Sequence, residues 1–238
     1  MNISSHRAIE SVCGIAPQRA KQSLVILLAM IYGNARASPA AEPPSDDKWI
    51  VDNKPPPKLL IAVAGGTGFG YVSGETEGGN VVKQRCLGSS LVVIQPELGY
   101  YVSSHLSIGA SVRLGFPVGA NVKEHATTAP SVLFRVRYTL DVTGDRLRFM
   151  GQAGIGATRY TTKLDGSTPG MDTDTVAHGP VLLGAGIGYT HQLSSKVFLV
   201  SDLSGLVGVP TSGALAELSP KFNKGFGADL SIGVQISF

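Results

Sequence analysis

Cysteine is almost absent. Two occur in 238 residues, Cys13 and Cys86. Cys13 lies in a segment expected to be cleaved, so Cys86 would be alone and an intramolecular disulfide is excluded. It sits in a polar stretch, VKQRCLGSS, and reads as an incidental thiol. Charge is also scarce. Asp, Glu, Lys and Arg make up 16% of the chain, against about 25% in an average globular protein. No clustered basic surface of the kind a nucleic-acid binder needs is present. The formal charge of +3 comes from the first 37 residues, which hold Arg7, Arg19, Lys21 and Arg36 against Glu10. The remainder is neutral. Long apolar runs are missing too. The longest, LVILLAMIY at 24–32, is far short of the roughly 20 residues that cross a bilayer as a helix. Any membrane embedding of the rest of the chain must therefore use strands.

That short run has a different use. Arg19 and Lys21 precede it and Ala35-Arg36-Ala37 follows it. A basic region, a short apolar core and an A-x-A site are the parts of a secretory signal peptide. Residues 1–37 are expected to be that signal. Residues 38–57, SPAAEPPSDDKWIVDNKPPP, are rich in proline and charge and read as an extended linker with no core of its own. Residues 58–238 form the remaining domain.

In that domain glycine is abundant, contributing to 30 in the whole chain, and the dominant period is two. Eight stretches alternate: 59–71, 91–101, 106–116, 131–141, 147–158, 179–190, 196–209 and 225–238. Leu106, Ile108, Ala110, Val112, Leu114 and Phe116 share one face of the third; Ser107, Gly109, Ser111, Arg113 and Gly115 share the other. The seventh is less regular, because Phe198 and Val200 fall on the polar face with Asp202 and Ser204. Long polar connections near 73–90, 117–130, 161–176 and 210–224 alternate with short ones near 102–105, 141–146 and 191–195. An even number of strands of about ten residues, with alternating loop lengths, predicts an all-β chain: an eight-stranded antiparallel up-and-down transmembrane β-barrel.

The composition of the two faces sets their direction. A soluble barrel would carry many Lys, Glu and Thr outside, whereas here the polar faces hold Gly, Ser and Ala with a few charges. Small side chains fit the crowded inside of an eight-stranded barrel. The apolar faces are therefore expected to meet lipid. Interior charges of both signs are expected at Glu97, Arg113, Arg135, Arg137, Asp141, Arg148, Asp202 and Asp229, paired because buried charges persist only when paired. Glu97 and Arg113 flank a short turn on neighbouring strands and are expected to make a diagonal contact. Phe69, Tyr71, Tyr100, Phe116, Phe149, Tyr189, Phe226 and Phe238 lie near strand ends, where interfacial aromatic girdles sit. Phe134 and Tyr138 lie closer to mid-strand.

The signal peptide, the Pro-rich lead, the eight alternating segments and a last strand ending in Phe238 resemble Gram-negative outer-membrane β-barrel proteins. In size the domain is similar to the OmpA transmembrane domain, OmpX and OmpW. The resemblance implies that Leu230, Ile232, Val234, Ile236 and Phe238 are the C-terminal signal read by the barrel-assembly machinery. It implies residence in the outer membrane after export, contact with outer-membrane lipid and lipopolysaccharide, and four long loops outside the cell. A monomer is expected, without cofactor, metal or nucleic-acid partner. The implied role is structural or surface-interacting and non-enzymatic; a narrow channel or small-ligand carrier of the OmpW type is the alternative.

Chemistry finds little support. His105-Leu106-Ser107 has the His-x-Ser spacing of lipid A deacylases, a lipid-modifying reading, but falls at a short periplasmic turn rather than beside the outer leaflet. GGTGFG at 65–70 lies inside an alternating strand with no helix after it, so it cannot cradle a phosphate. Asp165, Asp172 and Asp174 lack EF-hand spacing and read as a solvated loop. Lys83 and Arg85 in the first long loop are thin support for contact with anionic lipopolysaccharide.

Overall fold

The computed structural model describes residues 58–123, 126–142, 145–164, 170–211 and 222–238, with the side chains of 83–86 and 142 left aside. The expected signal peptide (1–37), the expected Pro-rich lead (38–57), Asp165 and the side chains of Lys83, Arg85 and Cys86 fall outside what is described. Every regular element in the described residues is a strand: β1 (Leu59–Glu75), β2 (Val81–Tyr101), β3 (Leu106–Phe116), β4 (Ala129–Val142), β5 (Asp145–Gly156), β6 (Thr158–Lys163), β7 (Thr173–His178), β8 (Val181–Gln192), β9 (Val197–Val209), β10 (Phe222–Asn223) and β11 (Gly225–Ser237).

Eight of these close a barrel. Going round, β1 pairs with β2, β2 with β3, β3 with β4, β4 with β5, β5 with β8, β8 with β9, β9 with β11, and β11 with β1, all antiparallel. The seam runs from Leu60↔Ser237 to Tyr71↔Phe226 without a register shift. Closure satisfies the backbone groups that an open edge would leave bare, the condition for a sheet to cross a bilayer.

The alternation resolves into two faces. Ile61, Val63, Leu98, Val132, Phe134, Ile187, Leu203, Ile232 and Val234 are exposed outside, while Gln95, Glu97, Arg113, Arg135, Asp202 and Asp229 are buried inside. This inverts a soluble core. An outer wall of bare apolar side chains is stable only against lipid, so the barrel spans a membrane. Phe198 and Val200, the irregularity of the seventh stretch, point inward and are buried. With Leu133, Leu182 and Leu206 they make the interior partly apolar.

Aromatic residues mark the edges of the apolar band. Toward the short turns lie Tyr100, Phe149, Tyr189 and also Tyr138, which pairs directly with Phe149 and so joins this ring. Toward the long loops lie Phe69, Tyr71 and Phe226. Leu59 to Phe69 is ten steps. At about 3.3 Å per residue and a tilt near 40° that spans about 25 Å, the height of an outer-membrane apolar band.

Two sequence expectations need correction at the long-loop end. The connection at 73–90 is mostly strand, since β1 runs to Glu75 and β2 starts at Val81. The connection at 161–176 holds β6 and β7, which pair antiparallel from Thr158↔His178 to Lys163↔Thr173. The reason is the same in both places. Beyond the lipid both faces of a strand meet polar surroundings, so period-two patterning disappears although the hydrogen-bond ladder continues. At Gly156 the chain leaves β5 with φ +133°, a backbone that L side chains rarely adopt, and a Cβ there would meet Pro130 O at 2.5 Å. The turn brings β6 inward over the mouth rather than up and away.

Candidate functional site: the lumen and its mouth

Seven of the eight charges expected inside are buried in the lumen, and they form linked groups. Arg113 on β3 reaches across to Asp229 on β11, with Nε donating to Oδ2 at 2.6 Å and Nη2 to Oδ1 at 2.8 Å. Its side chain is 0% exposed. Gln95 on β2 joins this pair to the next group. Its Nε2 donates to Asp229 Oδ2 at 3.3 Å while its Oε1 accepts from Arg135 Nη2 at 2.7 Å. Arg135 also donates through Nη1 to Glu97 Oε2 at 2.9 Å and through Nε to Gln152 Oε1 at 3.0 Å. Both terminal nitrogens of Arg137 donate to the same Glu97 carboxylate. Nearer the short turns, Arg148 Nη2 donates to both oxygens of Asp202, at 2.7 and 2.8 Å, and its Nη1 donates to Gln235 Oε1 at 3.1 Å. Gln235 Nε2 in turn donates to the Tyr101 hydroxyl at 2.8 Å.

The register explains the partner choice and corrects one expectation. Glu97 lies opposite Ser111 on β3, so Arg113 is one pleat higher, level with Gln95. Arg113 therefore meets Asp229 across the lumen, and Glu97 serves two arginines of β4. Asp141 is the second correction. Its side chain is 61% exposed and pairs with Arg146, which is 40% exposed, Nε to Oδ1 3.0 Å. It lies beside the short turn, past the end of the closed lumen, where facing inward no longer means being buried.

Among the described residues the short-turn end of the lumen is tightly packed. Toward the short turns, a void of about 10 Å³ lies among Tyr101, Ser107, Arg137, Arg148, Phe198 and Gln235. That is on the order of one water site. A wider groove of about 960 Å³, over Gly151, Ala185, Gly205 and Ala228, opens on the outer wall among Phe149, Ile187 and Phe226, so it belongs to the lipid face.

The sequence reading missed the mouth. Tyr160 of β6 hangs into the lumen and is 0% exposed. It fits because three strands present glycine there. A Cβ at Gly70 would stand 2.5 Å from the ring, one at Gly88 would stand 2.8 Å from Tyr160 Cβ, and one at Gly227 would strike the hydroxyl. Inward glycines in alternating strands were the available signal that something enters from elsewhere. The hairpin is held above by charges outside the barrel. Arg159 Nε donates to Glu77 Oε1 at 2.7 Å, and Asp174 accepts from Gly78 N at 3.1 Å and from Thr175 N at 2.7 Å. Asp172 Oδ1 accepts from Asn121 Nδ2 at 2.9 Å. The two described loop aspartates thus tie loops together.

His105 and Ser107 do not form a pair. The imidazole is exposed, with Nδ1 3.2 Å from Thr139 O and its ring 6.2 Å from Tyr138, while Ser107 is buried inside.

No family model matches the sequence, and no curated protein matches it. The structure is similar to Neisserial surface protein A, with a TM-score of 0.50 at 12% identity over 76% of this chain and 97% of that one. The chain has the fold of the eight-stranded outer-membrane β-barrels. Weaker likenesses are to the N-terminal β-barrel domain of Pseudomonas aeruginosa OprF, with a TM-score of 0.40 at 14% identity over 76% of this chain and 99% of that one. The outer membrane protease OmpT of Escherichia coli gives 0.42 at 9% identity over 77% and 97%. At such identities the likeness describes the fold.

Proposed function

We propose that this protein resides in the outer membrane of a Gram-negative cell as a filled, non-conducting and non-enzymatic barrel. Its long-loop end faces outside, and its role is structural or one of surface interaction. One observation carries the reading: linked ion pairs cross the lumen. Arg113–Asp229 and Arg135–Glu97 share Gln95, and Arg148–Asp202 lies below them. A conducting path would have to separate buried pairs, at a cost of several kcal/mol per ion. The surroundings in this reading are outer-membrane lipid and lipopolysaccharide, with the barrel-assembly machinery acting on Leu230, Ile232, Val234, Ile236 and Phe238 during insertion.

Planar-bilayer recording of the folded protein tests it. A silent membrane is expected, from protein that also migrates as a compact, SDS-resistant band until boiled. Discrete openings would favour the competing reading, a narrow channel or small-ligand carrier.

A further inference from the structure

His178 closes β7 at the mouth, and its surroundings are unusual for a histidine. It is 0% exposed, and neither Nδ1 nor Nε2 has a hydrogen-bond partner in the protein. The edge carrying both nitrogens faces the backbone of β11 at Gly225, where a Cβ would collide with Nδ1, Cε1 and Nε2 together. Its Cβ occupies the space a side chain at Gly208 of β9 would need, 2.5 Å from the position of that missing Cβ. Its ring lies 5.4 Å from Tyr160, tilted by 48°. The β6–β7 hairpin is thus seated by two side chains, Tyr160 and His178, in a cradle of glycines.

Among the described residues the seat offers no counter-charge. From β6 the facing titratable group is Tyr160, whose hydroxyl also lacks a partner. The Arg113–Asp229 pair lies beneath Tyr160 and is internally compensated. β9 presents Gly208 and β11 presents Gly225. β10 presents Phe222 and Asn223, and Asn223 Nδ2 is held by Glu75 O at 2.7 Å. The charges flanking these elements, Glu75 and Lys224, are exposed to solvent. On β7 itself Asp174 is engaged with Gly78 and Thr175, and on β6 Arg159 is engaged with Glu77.

We infer that the β6–β7 hairpin is an acid-released stopper: it sits in the mouth while His178 is neutral and leaves when that ring takes a second proton. An imidazolium buried without a partner has no compensation for its lost hydration, whereas water supplies it as soon as the hairpin lifts. Burial accordingly pushes the His178 imidazole down to about 4 from its ordinary 6.5. A lowered folded value for a base means seating is favoured fully above about pH 6.5 and weakens progressively as pH falls toward 4. Above the seat the hairpin is tied to neighbouring loops, with Arg159 Nε donating to Glu77 Oε1 at 2.7 Å and Thr173 O accepting from Asn121 N at 2.9 Å, but its ladder pairs with the other strands are few. β6 meets β2 at the single pair Ser89↔Thr161, and β7 meets β10 at two pairs, Phe222↔Ala177 and Asn223↔His178. Release carries Tyr160 out with the hairpin and bares the polar mouth, including Arg113 Nη1, while the ion pairs below stay in place. The inference therefore stands whether or not the lumen conducts.

Amide hydrogen exchange on the folded protein in micelles, at pH 7.5 and 4.5 with labelling times corrected for intrinsic exchange, tests it. Protection of β6 and β7 is expected to fall by about tenfold or more at the lower pH, with barrel strands unchanged. His178→Phe, which keeps the ring and removes the titration, is expected to hold its protection at both values. Equal wild-type protection at both pH values overturns the inference, as does a loss in His178→Phe like that of the wild type. Gly225→Ala guards against a variant that does not fold. It crowds the seat, so its hairpin is expected to be unprotected already at pH 7.5 while the strands stay protected; a normally protected hairpin there counts against the seat.

Discussion

Arg113 and Asp229 meet face to face across the lumen, in two parallel hydrogen bonds of 2.6 and 2.8 Å, although two strands separate β3 from β11 around the wall. The pair is a strut across the barrel rather than a bond between neighbours. Both side chains are buried, so each has exchanged hydration for the other. Removing one partner leaves a bare buried charge, which typically costs about 3–5 kcal/mol, whereas replacing both by apolar groups is often neutral.

Asp229→Asn is therefore expected to lower the unfolding free energy of the folded barrel by that order, seen as a lower urea midpoint. Arg113→Met with Asp229→Leu is expected to recover most of the loss. Tracking the heat-modifiable band through a urea series measures both. Equal losses in the single and double variants would show that packing, not pairing, carries the strut.

Glu97 is shared by Arg135 and Arg137, so its removal strands two guanidinium groups at once. Glu97→Gln is expected to destabilise more than Asp202→Asn, which strands Arg148 alone. The same urea series ranks them. The reverse order would mean that Gln95 and Gln152 suffice to hold Arg135.

Tyr160 fills a space that Gly70, Gly88 and Gly227 leave open. Tyr160→Ala removes a large buried ring and is expected to cost about 3–5 kcal/mol of hairpin seating, by analogy with other aromatic truncations in cores. Barrel closure lies elsewhere, so the eight strands should retain SDS resistance. Protease cleavage confined to the hairpin region, with an intact barrel band, is the expected pattern.

Asp172 lies outside the membrane-spanning strands, and the Asn121 amide that it accepts holds its carboxyl below the ordinary value of 3.8. The sign follows from an acid with a lowered folded value. The contact is present above about pH 4 and is lost as pH falls through the lowered value. Asn121→Ala is expected to return the carboxyl toward its ordinary value, read by carbon NMR titration of the Asp172 side chain. An unmoved titration would assign the shift to the backbone instead.

Much of the barrel was legible because each strand carries its own record of which face meets lipid. Leu98 and Glu97, or Val136 and Arg137, differ by one position and lie on opposite sides of the wall. Such patterning is local, so eight alternations specify eight strands and the polarity of the interior. It ends where lipid ends. That is why the outer parts of β1 and β2 and the whole β6–β7 hairpin read as loops, and why Asp141, inward by period, is solvent-exposed at the rim.

The sequence by itself determined that this chain makes a closed wall with apolar side chains outside and small or charged ones inside. Only the tertiary structure decided who meets whom across that wall. Arg113 passes over Glu97 to take Asp229, Gln95 links two ion pairs, and Tyr160 enters a gap that three glycines leave on three strands. The reason is geometric. Which side of a strand a residue faces follows from its own neighbours, but which residue it touches across a lumen depends on closure and register, set jointly by strands far apart in the chain.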